Sequence, residues 1–411
     1  MVDDLMPESK VIRDNIHGNI IINYQIIWDL INTPEMQRLR RIHQLGGTFV
    51  VFPTAEHSRF THSLGVYHLV DRIINEVVKD EIKPYEKIVV LCAGLLHDIG
   101  HGPFSHAFED VFETDHEAMS QRIILEDTTI NRLLNKYDAA LARDVANVIN
   151  HTHPNKLLIQ LISSQVDADR MDYLLRDATN CGVSYGHYDL ERLIRSMVVK
   201  DNMIVFKESG VHALEDYIFA RYHMYWQVYL HPTANSYEII LNKLLRRVKE
   251  LNNQKYVFKN DITHLRPFIT NSNLDIAAYL FLDETVLTYY FKTFLNENDA
   301  ILKELSYCFI NRKLFKTKDI ASEKEGWSLL SHIETDRQKQ NYYFEILKAR
   351  SSFYNYYGEI NSQSIAILFR DGRIEELAHA SNLVEAIVNS AKDKVELKLY
   401  YHQDYMDCLY G

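Results

Sequence analysis

The apolar positions of this chain change their period as it is read from the N-terminus. Over Val11–Ile22 they alternate around a His17-Gly18 turn, which predicts a short strand pair acting as an N-terminal arm. From Asn32 the spacing becomes helical. Thr33-Pro34 marks a start, because proline in a first turn loses no hydrogen bond. Met36, Leu39, Ile42 and Leu45 then follow on one face until Gly46-Gly47 ends the run. Further helices are predicted over Thr61–Val78, Tyr85–Asp98, His116–Leu125, Ala139–Ile149, Lys156–Asp177 and Val211–Leu251. Val198–Lys207 reads as a hairpin about Asp201-Asn202.

Beyond about residue 252 helical stretches continue to Phe309. Ser364–Phe369 and Val395–Tyr401 then read as strands, with a helix over Leu383–Ala391 between them. The expected fold class is mostly α. A strand arm (1–30) precedes a helical core (31–251), a helical extension (252–320) and a smaller C-terminal α+β subdomain (321–411). Composition agrees: 14 Gly and 8 Pro in 411 residues are too few turn residues for a strand-rich fold.

The net charge of −11 argues against broad duplex binding, which needs a basic surface, but leaves room for a local basic pocket. Cys92, Cys181, Cys308 and Cys408 are far apart with no CxxC pair, as expected of buried thiols in a reducing compartment. Met1–Lys10 is polar, and no apolar run approaches the ~18 residues of a membrane span. A cytoplasmic protein without a membrane partner is expected.

Histidine placement is the first chemical signal. Eight of the 19 histidines lie between His43 and His116, and His97, His101 and His106 crowd into LLHDIGHGPFSH, Leu95–His106. The apolar helix before it delivers His97 and Asp98 at its end, and Gly100 and Gly102 are expected to let the backbone turn. Imidazole with carboxylate suits Mn, Fe, Zn, Ni or, less comfortably, Mg. Completing such a site takes an upstream donor and a downstream carboxylate. His62 in RFTHSLG and Asp169 in QVDADRMDYLLRD supply them, with Asp169, Tyr173 and Asp177 on one helical face. His43, His57 and His68 are read as packing residues, and Asp167 and Asp172 as capping or salt-bridge residues. Packing alone explains the His97–His106 group poorly, because burying it would leave several polar groups unpaired.

The pattern His62…His97-Asp98…Asp169 resembles the H…HD…D signature of the HD superfamily of phosphohydrolases. More closely, Gln37–Leu69, Leu95–Glu109 and Asp167–Gly186 resemble the deoxynucleoside triphosphate triphosphohydrolases. Those comprise the mammalian SAM-and-HD-domain enzyme and shorter bacterial relatives, the nearer match. The likeness runs from about Lys10 to Lys316.

The resemblance implies that His62, His97, Asp98 and Asp169 hold a divalent metal. It implies that His101, His106, Glu109 and His116 surround the scissile bond, His106 being the general acid, although the family has Asp at Glu109. Arg59, Arg170 and Arg221 would clamp phosphates, with Lys replacing Arg170 in the mammalian enzyme. Gln44 and Asp177 would hold the 3′-hydroxyl, Leu45 and Tyr229 would pack on base and sugar, and Tyr173 would press on C2′. A dNTP would be cut to deoxynucleoside and triphosphate. Lys10, Val11, Arg13, Asn32, Gln37, Arg40, Arg192, Arg312 and Lys316 match a regulatory nucleotide site between subunits. That implies a homotetramer activated by GTP or a dNTP, although Asn32 replaces an Asp and Arg13 an Asn. Two rival functions remain: another HD-type nucleotide phosphomonoesterase or phosphodiesterase, and a non-catalytic binder of nucleotide or single-stranded nucleic acid.

Overall fold

Alternation in the first segment yields an antiparallel pair in the computed structural model, β1 (Leu5–Asp14) and β2 (Gly18–Tyr24). Gly18, at φ +74°, closes the turn, and Asp14 accepts the N–H groups of Ile16 and His17 there. The inward positions Ile20 and Ile22 are fully buried, whereas Val11 and Ile21 face outward. The structure describes residues 4–270, 274–349, 353–355, 360–361, 363–391, 395–405 and 407.

A short helix, Gln25–Ile31, follows the arm, where the patterning indicated none. Thr33 then caps the Pro34–Arg38 helix through the Met36 N–H, as the Thr33-Pro34 start predicts. The expected run to Leu45 stops early, and Ile42 is extended. The backbone from Ile42 to Gln44 bonds instead to the 57–59 segment: the Arg59 N–H donates to the Ile42 carbonyl and the Gln44 N–H to the His57 carbonyl, both at 2.9 Å.

The principal apolar core is built around the helices Arg59–Ile73, Pro84–Leu96, Leu141–Ile149, Lys156–Ile162 and Ala168–Cys181. The last two were expected as one helix. They break because the buried Asp167 carboxylate takes the N–H groups of Ser164 and Arg170, ending one helix and capping the next. Likewise Val211–Leu251 divides into Val211–Met224, one wide turn over Tyr225–Tyr229, and Pro232–Asn253. Pro232 has no N–H to continue the earlier ladder, and the His231 ring accepts the Thr233 N–H at the restart.

A second apolar core joins Pro232–Asn253 to Ala300–Ile310 and to the helix His106–Phe112. Ile99 belongs to the first core and Phe104 to the second, so the histidine-rich loop crosses from one to the other.

The hairpin forms as predicted: β3 (Met197–Lys200) and β4 (Met203–Lys207) are joined by Asp201 and Asn202, both at positive φ as such a two-residue turn demands. The later strands are β5 (Lys316–Asp319), β6 (Phe344–Ala349), β7 (Ala366–Leu368), β8 (Ile374–Glu376) and β9 (Glu396–Tyr401). They enter two different sheets, ordered β3-β4-β7-β8 and β5-β9-β6. β7 lies parallel to β4, with Phe206 opposite Ile367, so C-terminal strands extend the hairpin of the helical core. The fold is mostly α with a strand arm and small C-terminal sheets, as the patterning predicts. Cys92, Cys181 and Cys308 are buried free thiols; Cys408 lies outside the described residues. Among the described residues no helix is long and apolar enough to cross a membrane.

The helices Arg59–Ile73 and Ala168–Cys181 touch at Gly65, where an added Cβ would lie 1.8 Å from Asp172 Oδ1 and 2.6 Å from Arg176 Nη2. Gly65→Ala is expected to destabilise the protein by about 1–3 kcal/mol through this overpacking, seen as a lower urea midpoint.

Candidate active site

Three helices deliver the four candidate ligands. His62 is fully buried on Arg59–Ile73, His97 and Asp98 follow the end of Pro84–Leu96, and Asp169 lies in the first turn of Ala168–Cys181. His62 Nε2 lies 3.2 Å from His97 Nε2 and 3.1 Å from Asp169 Oδ1. His97 Nε2 is 3.4 Å from Asp98 Oδ1 and 3.7 Å from Asp169 Oδ1, and His62 Nε2 is 3.7 Å from Asp98 Oδ2. Donors on one ion with bonds near 2.0–2.2 Å lie about 3–3.5 Å apart, so His62, His97 and Asp169 are grouped closely enough to hold a divalent cation, with Asp98 alongside.

The outer ring nitrogens are occupied. His62 Nδ1 faces Asp172 Oδ2 at 2.8 Å and His97 Nδ1 faces the Gly94 carbonyl at 2.9 Å, which turns both Nε2 atoms inward. Asp172 also accepts from Arg176 at 2.8 and 2.9 Å and meets His17 Nε2 at 2.6 Å. Arg176 in turn donates to Asp14 at 2.8 Å. The N-terminal hairpin is thereby tied to the candidate ligand His62.

Burial alone would push the His62 imidazole down, but Asp169 and Asp172 on either side outweigh it and raise it to about 10. His97 is likewise raised, burial being overcome by Asp98 and Asp169. Burial opposes ionisation of Asp98, yet His97, Arg59 and His101 hold its carboxyl well below the usual range. His101 goes the other way: burial and the Arg59 guanidinium push it down to about 3, so it stays neutral.

His101 Nε2 lies 3.4 Å from Asp98 Oδ1, and its ring stacks on His116 at 4.0 Å. His116 Nδ1 meets Glu109 Oε1 at 2.9 Å, and this carboxylate raises His116 despite burial. Three of the four residues expected at the scissile bond therefore sit together. His106 heads its helix; its side chain lies outside what the structure describes.

The loop differs from expectation in how it turns. Phe104 and Ser105 take positive φ, at +56° and +44°, while Gly100 and Gly102 do not. Gly100 serves close approach instead: a Cβ there would lie 2.1 Å from the His116 carbonyl oxygen and 2.3 Å from the Ser120 nitrogen. The loop is also held from outside by residues that sequence reading missed. Arg38 donates to the His101 carbonyl at 2.9 Å, Tyr279 to the Gly100 carbonyl at 2.6 Å, and Glu284 accepts the Phe104 N–H at 3.2 Å. Nothing local in the sequence marks residues so distant as its supports.

Beside the histidines opens a cleft of about 340 Å³ lined by Gln44, Leu45, Arg59, Tyr173, Asp177 and Tyr229, all expected there, with Ser105, Tyr225 and Glu238 added. Tyr229 donates to Asp177 at 2.8 Å, and His57, read from sequence as packing, holds the other Asp177 oxygen at 2.7 Å. Arg59 pairs with Asp98 and donates to Ser105 at 2.9 Å, joining cleft to ligand cluster. Arg170 is turned to Asp167. Arg221 is buried, with one N–H on the Gln165 carbonyl at 3.2 Å, and Arg221 Nε and Gln44 Oε1 have no partner among the described residues.

His68 packs on His17, and His43 pairs with Glu284. Of the residues matched to a regulatory site, Lys10, Val11 and Arg13 lie on β1, where Arg13 donates to Asn19 at 3.0 Å. Gln37 bonds the Ile31 carbonyl and accepts from Arg40, whose guanidinium lies 3.7 Å over the Phe60 ring. Exposed Asn32 bonds the Trp28 carbonyl. Arg40 and Arg312 line one cavity of about 910 Å³, Arg192 reaches the Ser209 carbonyl, and exposed Lys316 opens β5.

Residues 59–177 match the HD domain, and residues 188–341 match the HD associated region. The chain is 46% identical over 407 residues to YwfO of Bacillus subtilis, covering 97% of this chain and 93% of that one. The chain belongs to the HD-domain phosphohydrolase family. Among its relatives is the deoxynucleoside triphosphate triphosphohydrolase SAMHD1 homolog of Dictyostelium discoideum, 37% identical over 57% of this chain and 48% of that one. A phosphohydrolase crystal structure from Bacteroides thetaiotaomicron superposes with a TM-score of 0.85 at 32% identity, covering 96% of this chain and 100% of the other.

Metal loading of this HD-domain protein should follow pH with a definite sign. His62 is protonated below about 10, so an entering ion displaces its proton. Apparent affinity then rises with pH through the neutral range, with proton release measurable by titration in weakly buffered solution. Asp172→Asn, which leaves every candidate ligand in place, is expected to weaken metal binding by about 10–100-fold in a chelator competition.

Proposed function

We propose that the protein hydrolyses deoxynucleoside triphosphates to deoxynucleoside and inorganic triphosphate. The observation that carries this reading is the junction of the cleft with the ligand cluster: Arg59 touches Asp98 on one side and lines the cleft on the other. In this reading His62, His97, Asp98 and Asp169 hold a divalent ion. Such an ion polarises a phosphoryl oxygen and acidifies its water.

The chain's own groups then position the nucleotide. Arg59, on the cleft wall, with Arg170 and Arg221 behind it, would clamp a substrate carrying several negative charges, since guanidinium grips phosphate oxygens in pairs. Arg221 Nε and Gln44 Oε1, without a partner among the described residues, are buried polar atoms that a bound ligand would complete. Asp177, held by His57 and Tyr229, accepts the 3′-hydroxyl. Tyr173 stands edge-on to Tyr229 at 6.2 Å and forms a stiff wall against a 2′-hydroxyl. Leu45 and Tyr229 pack on base and sugar. His101, neutral beside Asp98, and the Glu109–His116 pair flank the phosphate, and His106 is the proton donor to the leaving 5′ oxygen.

Lys10, Val11, Arg13, Asn32, Gln37, Arg40, Arg192, Arg312 and Lys316 belong in this proposal to an activating nucleotide site completed between subunits of a homotetramer. That reading rests on the match of these positions to the regulatory nucleotide site of the deoxynucleoside triphosphate triphosphohydrolases.

Incubation with each dNTP, alone and in mixtures, with Mg or Mn, followed by chromatography, tests the reaction. Deoxynucleoside and intact triphosphate are expected, with loss of turnover in Asp98→Ala. Orthophosphate as the product would identify a phosphomonoesterase instead. Tyr173→Ala should reduce discrimination against ribonucleotides by about 10–100-fold; equal use of ribonucleotides by the unaltered protein would remove Tyr173 from the role given to it.

A further inference from the structure

A second group of ligating side chains lies away from the cleft. Glu304 and Cys308 stand one turn apart on Ala300–Ile310, and His402 directly follows β9. Cys308 Sγ is 3.5 Å from Glu304 Oε1 and 3.5 Å from His402 Nε2, and His402 Nε2 is 3.1 Å from Glu304 Oε1. Around a tetrahedral zinc ion, with bonds of about 2.3 Å to sulfur and 2.0–2.2 Å to nitrogen or oxygen, the S···N and S···O edges are about 3.5 Å and the N···O edge about 3.3 Å. The triangle has the dimensions of three corners of such a site.

The histidine is also oriented in advance. His402 Nδ1 accepts the Asp404 backbone N–H at 3.3 Å, and the His402 backbone N–H donates to the Tyr343 carbonyl at 2.9 Å. The rings of Tyr343 and Phe315 flank it at 5.1 and 5.8 Å. Cys308 is fully buried while the Glu304 side chain is 40% exposed, which leaves an entry path and room for water as fourth ligand.

We propose that Glu304, Cys308 and His402 form a second metal site, selective for zinc or another thiophilic divalent ion. An ion there fastens the end of β9 to Ala300–Ile310 across 94 residues of sequence. It displaces the Cys308 thiol proton, which burial and Glu304 otherwise retain. The donor chemistry separates it from the His62 cluster, whose ligands are nitrogen and oxygen only.

Cobalt(II) loading of the full chain tests the site, because a thiolate-to-cobalt absorption band in the near ultraviolet reports a cysteine ligand and is blind to the His62 cluster. The band is expected in the unaltered protein, in Asp169→Ala and in Cys408→Ser, and should vanish in Cys308→Ser and in His402→Gln. Bound zinc should fall by about one ion per chain in Cys308→Ser. Circular dichroism establishes that the variants are folded. Absence of the band from the cobalt-loaded unaltered protein, or its survival in folded Cys308→Ser, overturns the proposal and leaves a buried thiol hydrogen-bonded to a carboxylate.

Discussion

The candidate site depends on one fully buried carboxylate. Asp172 has about four acceptor positions, and two Arg176 N–H groups, His17 and His62 occupy them. Losing one partner from a buried charged network of this kind costs about 3–5 kcal/mol, because the charge left behind has no water to solvate it. The requirement acts on geometry. Satisfying Asp172 brings together the N-terminal hairpin, the Arg59–Ile73 helix and the Ala168–Cys181 helix, and it turns His62 Nε2 toward His97 and Asp169.

The histidine loop is constrained differently. Its start packs in one apolar core and its end in the other, and its backbone between them is held by Arg38, Tyr279 and Glu284. Buried peptide groups in a loop need such partners, since no helix or sheet satisfies them. The positive φ of Phe104 and Ser105 persists because the surrounding bonds over-determine it. The helix carrying Glu109 begins directly after these two residues, which sets the approach of Glu109 to His116 and of His116 to His101.

Charges around the cluster are arranged so that neighbouring groups differ. His62 and His97 are raised by the carboxylates between them, while His101, beside Arg59, is held neutral. A pocket that contains acidic, basic and neutral imidazole environments within a few ångströms suits proton transfer and cation binding together. The adjoining cleft adds aromatic walls and a doubly held Asp177, which in the proposed reading orient the sugar.

Much of this was legible along the chain. The hairpins at His17-Gly18 and Asp201-Asn202, the His116–Leu125 helix, the end of the Pro84–Leu96 helix at His97, and the shared face of Asp169, Tyr173 and Asp177 all follow from local period and turn chemistry. So did Asp167 and Asp172 as capping and pairing residues. The breaks at Ser163–Asp167 and Leu230–His231 were hidden because apolar spacing runs on through them, and only the backbone bonds decide where a ladder stops. The part His57 plays, the supports of the histidine loop, the pairing of β7 with β4 and the meeting of Cys308 with His402 join residues tens to hundreds of positions apart. Sequence alone determined which side chains could bind a cation and which stretches coil or extend, since those are short-range properties. Which of them meet was left to tertiary packing, because burying a charge or a peptide group requires a partner and the folded chain draws that partner from anywhere along its length.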